Sequence, residues 1–291
     1  VFGDWSSDVC SSDLLARLNA NGSLDTGFDP GGGFNSTVQA IAVQTDGSIL
    51  VGGSFTRYRG ADQPYLTRLS ANASVDETFG IGTGPDNVVY DFELTADGRI
   101  LLGGNFSQID GRPSPRIARL LATGAPDPTF DPGQGPNADV RTVLIQPDGR
   151  ILLGGNFTLV NGSTRNRLAR LTPAGLLDTE FTTEGGANNT VTSVGRQADG
   201  KIVLAGSFTQ FGGQTRNRVV RLLPEGTVDP AFAIGTGANN TISALVVQPN
   251  GDIVLGGEFT QFDGLSHLRL VRLQGTRSEE HTSELQSPNT I

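Results

Sequence analysis

Few side chains in this chain suit chemistry at neutral pH. Its 291 residues include two His, one Cys, one Trp and no Met. His267 lies in LSHLR, which reads as a loop. A lone loop histidine is a solvated side chain before it is an acid–base group or a metal ligand. Asp46, Asp97, Asp148 and Asp199, each followed by Gly, suggest calcium. Calcium takes about six to eight oxygens, and one carboxylate per Asp-Gly pair supplies too few. They read as turn residues, so neither a metal nor another cofactor is expected. The remaining acids of interest occur in one repeat each: Glu93, Asp139, Glu184 and Glu258. A glycosidase needs two carboxylates about 5–10 Å apart across a cleft, and no spacing in the sequence pairs these four. Neither a Ser-His-Asp set nor a phosphate-binding loop is present. No catalytic residue is expected.

Basic and amide side chains form the second chemical set. STRNR holds Arg165 and Arg167, and QTRNR, 51 residues later, holds Arg216 and Arg218. Connectors containing Asn188-Asn189 and Asn239-Asn240 accompany them. Guanidinium forks beside amides can bind carboxylates or polar sugars. Arg165, Arg167, Arg216, Arg218, Asn189 and Asn240 are therefore the candidate ligand-binding residues, for a protein or polysaccharide partner. The competing reading pairs each Arg locally and gives each Asn to a turn.

The two ends differ from the rest. One DNA string encodes RSEEHTSELQS (277–287) on one strand and, shifted by one base, DWSSDVCSSDL (4–14) on the other. Protein selection has no reason to produce that relation, and the string resembles a sequencing adapter. Residues 1–14 and 277–291 are therefore expected to be disordered artefact, flanking one repeat domain over 15–276. The net charge of −9 then falls to about −4: Asp4, Asp8 and Asp13 hold three of the negative charges, and Arg277, Glu279, Glu280 and Glu284 together hold two. So mild an acidity makes no claim on nucleic acid or a membrane surface. The sole Cys, Cys10, falls in the artefact, so disulfides and thiolate chemistry are excluded from the rest. No apolar run approaches the roughly 20 residues of a membrane span.

The elements that position these residues come in a strict repeat. Arg-Leu occurs at 17, 68, 119, 170, 221 and 272, a constant step of 51. Phe55, Phe106, Phe157, Phe208 and Phe259 keep that step, as do Phe28, Phe79, Phe130, Phe181 and Phe232. One supersecondary unit is therefore repeated five times. Each reads as four short strands. Asp-Gly marks a hairpin turn in which both residues tolerate positive φ. The run Ile100 to Phe106 lacks alternation and predicts a strand buried on both faces, with its paired glycines set against a neighbouring backbone. In LARLNANGSLDTGF a three-residue loop places Gly22 in the left-handed region, Leu18 opposite Leu24, and Arg17 opposite Asp25. The same register pairs Arg68–Asp76, Arg119–Asp127, Arg170–Asp178 and Arg221–Asp229. Four strands in about 50 residues with glycine-rich turns predict an all-β β-propeller of tandem four-stranded blades, about five in number. Residues 15–28 and 242–273 add up to about one blade. Five blades can then close by pairing the ends; the alternative is a fragment of a larger propeller.

The phrases QPDGRILLGGNFT (146–158) and LARLTPAGLLDTEF (168–181), with their copies over 16–274, resemble the bacterial delta-60 repeat family. That resemblance implies a β-propeller without known catalytic residues, carried in large secreted or surface proteins. The expected function is a non-catalytic interaction module with an extracytoplasmic location. The alternative is a carbohydrate-active lyase or glycoside hydrolase, because fold alone does not decide function. The segments ADQPY, RPSPR, STRNR, QTRNR and LSHLR vary between repeats while the turns do not, so recognition is expected at the end of the blades that carries them.

Overall fold

The computed structural model describes residues 15–275, and every regular element within them is a β-strand. The artefact expected at 1–14 and 277–291 lies outside the described residues. The chain divides after Phe130 into two compact units. Among the described residues, the first unit holds a short hairpin (15–28) and two blades, and the second holds three blades.

The blades share one plan, the fourth strand of the last falling outside the described residues. In the first, strand Val38–Val43 pairs antiparallel with Ile49–Gly53, which pairs with Leu66–Leu69. The fourth strand is a single residue: Leu69 bridges Val75, and the chain turns away at Asp76. Asp76 ends the strand because its Oδ1 accepts the Thr78 N–H at 2.9 Å. The β-propeller blade expected from the 51-residue repeat is therefore present, with its outermost strand cut to one bridge.

The register between third and fourth strands is the expected one throughout. Leu18 bridges Leu24, as do Leu69 and Val75, Leu120 and Pro126, Leu171 and Leu177, and Leu222 and Val228. Arg Nε meets Asp Oδ2 at 2.7–2.8 Å in all five pairs from Arg17–Asp25 to Arg221–Asp229. Each guanidinium also lies over the ring of the repeat's own Phe, 4.4–4.9 Å from the centroid. Arg17, Arg68, Arg170 and Arg221 reach the next repeat of their unit as well, the Nη1 donating to the carbonyl of Ala71, Ala122, Pro224 or Gly275. One side chain thus ties two strands and two blades.

The Asp-Gly turns differ from expectation. Gln44 N–H donates to Ser48 O and Gly47 N–H to Gln44 O, closing a three-residue loop in which Gly47 alone has positive φ, +85°. Asp46 sits there because its Oδ1 accepts the Ser48 N–H. Two-residue turns with positive φ at both positions occur elsewhere, at Arg59-Gly60, Asp110-Gly111, Asn161-Gly162, Gly212-Gly213 and Asp263-Gly264. They are the tips of small hairpins such as Arg57–Tyr58 with Ala61–Asp62, between the second and third strands. The segments expected as variable loops are these hairpins and their return. The return residue, Tyr65, Arg116, Arg167, Arg218 or Arg269, takes φ of 63–70°.

The cores lie between consecutive blades of a unit. In the second unit Leu152 and Leu168 pack with Val191, Val194, Phe208 and Phe211, and Val203 and Val219 pack with Ile242, Leu245 and Phe259. Ile100–Gly104 is buried at every residue, as the missing alternation predicts. The glycine pair is explained by distance. A Cβ on Gly155 would stand 2.1 Å from the Asp139 carbonyl oxygen, and one on Gly154 2.7 Å from a methyl of Val191 in the next blade.

Candidate functional site

In each blade the small hairpin and the incoming connector share one end. Residues 136, 187 and 238 of the connectors bridge Val160, Phe211 and Phe262 of the hairpins. An amide clamp holds the two together. Asn188 Oδ1 accepts the N–H groups of Thr209 and Gln210 at 2.9 and 3.0 Å, and its Nδ2 donates to Thr209 Oγ1 at 2.9 Å. Asn35, Asn137 and Asn239 do the same in their repeats, and Asp86 uses its carboxylate for the same N–H groups. Asn188→Ala leaves two strand-end donors unpaired and is expected to destabilise by about 1–3 kcal/mol. Asn188→Asp is expected to cost less than about 1 kcal/mol, because a carboxylate keeps both acceptor bonds. Urea unfolding of the two variants checks the contrast; equal losses would remove the clamp from the account.

The predicted ligand residues divide by role. Asn189 and Asn240 are exposed and bond along the chain, each Oδ1 accepting the next residue's N–H at 2.8 Å. Arg218 Nη1 donates to Ser207 O at 2.9 Å, and Arg167 Nη1 to Phe157 O at 3.2 Å, so both brace the end of a central strand. Arg165 and Arg216 are held only near the tips of their own segments, on Thr164 O and on Thr215 O and Gln214 Oε1. Arg165 Nε is shielded from solvent without a hydrogen-bond partner.

Two adjoining cavities gather part of this set. One, of about 290 Å³, is lined by Arg167, Asn188, Gln210, Thr158 and the Gly185-Gly186 backbone. The other, of about 280 Å³, is lined by Arg165, Thr164, Thr179 and Thr182. They share Asn166 and Gly185, which are joined by an Asn166 Nδ2–Gly185 O bond of 2.8 Å. Asn166 was not singled out in the sequence; its signal was its place between the two arginines. Arg216 and Arg218 line neither cavity.

Of the acids, Glu184 precedes Gly185 of both cavities and its Oε2 accepts the Val228 N–H at 3.5 Å, and the others among the described residues give no carboxylate pair with it. Asp139 is tied to Arg141 at 3.0 Å and to Asn156 Nδ2 at 3.3 Å, and Glu258 is exposed. The His267 backbone N–H donates to Thr260 O at the foot of a hairpin. Among the described residues no three His, Cys, Asp or Glu side chains form a metal-binding group. The carboxyls with shifted pKa are held low, and they belong to turns, ion pairs or the clamp. Burial raises Asp127 but is outweighed by hydrogen bonds from Thr129 and Arg119. Asp76 is lowered chiefly by the Thr78 hydroxyl, and Asp46 by the Ser48 N–H. At Asp86 burial again opposes, and the Ser107 hydroxyl with two N–H groups prevails.

The blades and their repeat define a β-propeller protein. The chain belongs to the family described as domain of unknown function (DUF5122) beta-propeller, whose profile matches residues 11–28, 44–79, 95–130, 146–181, 197–232 and 248–275. A search of curated proteins found no match. Among solved structures, the extracellular domain of a one component system from B. thetaiotaomicron is similar with TM-score 0.50 at 17% identity, over 84% of this chain and 27% of that one. The present chain thus spans about a quarter of that protein's length. A gluconolactonase from Xanthomonas campestris is similar with TM-score 0.50 at 15% identity, over 84% of this chain and 76% of the other. At such identities the likeness is one of fold. No helix among the described residues is long and apolar enough to cross a membrane.

Proposed function

We propose that this chain is a non-catalytic interaction module of a secreted or cell-surface protein. It would bind a polar protein or polysaccharide partner at the end of the blades that carries the connectors and small hairpins. The observation that carries the reading is the joined pair of cavities beside Arg165 and Arg167, formed where sequence varies between repeats on a scaffold that does not vary. The opposite end consists of turns whose Asp and Arg side chains are committed to their own backbone and ion pairs. One structural neighbour is an extracellular domain and another an enzyme, so the fold accommodates both roles and the site must decide.

The test is binding of the Arg165→Ala/Arg216→Ala protein to a panel of acidic glycans and isolated surface proteins. Binding by the unaltered protein that falls about tenfold or more in the variant is expected. Binding unchanged there, but lost when the Asp-Gly turn end is altered in a folded protein, would move the site to the other end. The enzyme reading is separated by a panel of glycoside and polysaccharide substrates. Turnover abolished by replacing Glu184 or Asp139 would displace the binding module.

A further inference from the structure

The five hairpin tips compare like an internal mutant series. At the first position of the tip turn stand Arg59, Asp110, Asn161, Gly212 and Asp263. Opposite, on the connector, stand Gly31, Gly82, Gly133, Glu184 and Gly235. A side chain is present on one side or the other and never on both. The reason is space. A Cβ on Gly82 would stand 2.0 Å from Asp110 Oδ1, and one on Gly235 1.7 Å from Asp263 Oδ1. In the fourth pair the arrangement is reversed, with Glu184 Cβ 3.2 Å from where a Cβ of residue 212 would be.

The reversal changes what the tip does. Asp110 and Asp263 accept a connector N–H, from Thr83 and Thr236, at 3.1 and 3.0 Å, and Asn161 accepts the Gly135 N–H at 2.9 Å. The side chain at the tip stitches hairpin to connector. Gly212 has none to offer. Beside it Glu184 takes φ +50° and Gly185 φ +98°, and the larger cavity has both Gly185 and Gly213 in its wall. Amide, hydroxyl and guanidinium groups of Asn166, Gln210, Thr158 and Arg167 line the same wall beside Ala187. Arg165, with its unpartnered Nε, follows in the adjoining cavity.

A cavity of about 190 Å³ fills the place of the Arg165 cavity in the first repeat, where the Gly82/Asp110 pair is not reversed, so the reversal bears on the Arg167 cavity alone. We infer that the Glu184/Gly212 reversal leaves the Arg167 cavity open and that this cavity, with the adjoining one, binds a short uronate oligosaccharide, its sugar hydroxyls on Asn166, Gln210 and Thr158 and its carboxylates on Arg167 and Arg165. This rests on the binding-module reading and narrows it to one place and one ligand class. Two joined depressions with polar walls match successive sugar rings. An acidic peptide, which Arg clusters also bind, is separated from the sugar by titrating a tri-glutamate in parallel, and tighter binding of the peptide overturns the uronate assignment. Carboxylates answer the two guanidinium groups, which offer charge-assisted bonds that a neutral sugar cannot use.

The repeats themselves supply the test. Glu184→Gly with Gly212→Asp converts the fourth pair to the arrangement of the second and fifth, which fold with it, and stitches the tip beside the cavity. Titration calorimetry with tri-galacturonic acid is expected to show binding by the unaltered protein and at least about tenfold weaker binding by the double variant, with its thermal midpoint kept. A neutral galactose trimer is expected not to bind. If the double variant folds poorly, Gln210→Ala reports on the same cavity, because the backbone pairing of Gln210 with Thr215 is left in place; severalfold weaker binding is then expected. Undiminished affinity in a folded double variant, or in Gln210→Ala, overturns the inference. If acidic-ligand binding is lost in Arg216→Ala, at a residue that lines neither cavity, and kept in the double variant and in Gln210→Ala, the binding-module reading stands and this cavity does not. No binding of the uronate by the unaltered protein removes the ligand class and leaves the wider partner panel to judge the module.

Discussion

Replacing Arg221 by leucine is expected to destabilise the second unit by about 3–5 kcal/mol, the cost of stranding one member of a buried ion pair. The Arg221 and Asp229 side chains are 3% and 4% exposed. The guanidinium donates to Asp229 at 2.8 Å, to Gly275 O at 2.6 Å and to Gln197 Oε1 at 3.3 Å, and lies 4.5 Å over Phe232. Its loss leaves the buried Asp229 carboxylate with only the Ala231 N–H at 2.9 Å and the more distant Lys201 Nζ at 3.5 Å, and unpairs a neighbouring repeat. The same residue in the first repeat is the control. Arg17 and Asp25 are 39% and 26% exposed, so Arg17→Leu is expected to cost far less than Arg221→Leu. Urea unfolding measures both. Equal losses at the two positions would show that burial does not set the worth of the pair.

The Arg221 network also fixes a pH dependence. Burial pushes the Asp229 pKa up, but the Ala231 N–H and the Arg221 charge outweigh it and the carboxyl is held low. Asp178 is held low in the same way, by Arg170 against burial. A carboxyl lowered in the folded state contributes stability that is complete above its unfolded pKa, about 3.9, and is lost as pH falls through the folded value. Stability is therefore expected to drop below about pH 4, and Arg221→Leu to flatten that slope. A slope unchanged in the variant would assign acid unfolding to other groups.

Gly155→Ala is expected to cost about 3 kcal/mol, at the upper end for overpacking. The added methyl carbon would stand 2.1 Å from the Asp139 carbonyl oxygen and 3.1 Å from the Arg141 nitrogen, both backbone atoms at the bulge between Val140 and Thr142. Backbone on both strands must separate to admit it. Gly154→Ala is expected to cost less, since its contacts are the methyls of Thr142 and Val191, which can shift, and the fourth repeat already carries Ala205 at that place. Gly32→Ala, with nothing within 4 Å of the new carbon, is expected to change stability by less than about 0.5 kcal/mol. Thermal unfolding of the three orders them, and a harmless Gly155→Ala would mean the two strands sit farther apart than they do here.

The sequence alone determined the blade. Strict spacing of Arg-Leu and Phe made one unit recur, and the αL position of a three-residue loop set the register that joins Arg to Asp. Those are local rules, acting within about a dozen residues, and they hold even at Ala73, which takes φ +68° where its counterparts are glycine. The small hairpins were written in the same language. Asp110-Gly111 and Asn161-Gly162 are stronger two-residue turn signals than the Asp-Gly pairs first taken for them, but two-residue strands leave no periodicity to support a reading. Only the tertiary structure decided what each side chain meets across the connector. Asn188 and Asn189 are adjacent and identical in type, yet one clamps a strand two elements away and the other bonds its own neighbour. Glu184 and Gly212 lie 28 residues apart, and nothing in either segment marks them as exchanging one volume. That relation arises from the close approach of connector to hairpin, where a Cβ on Gly82 or Gly235 would meet the carboxylate at the facing tip.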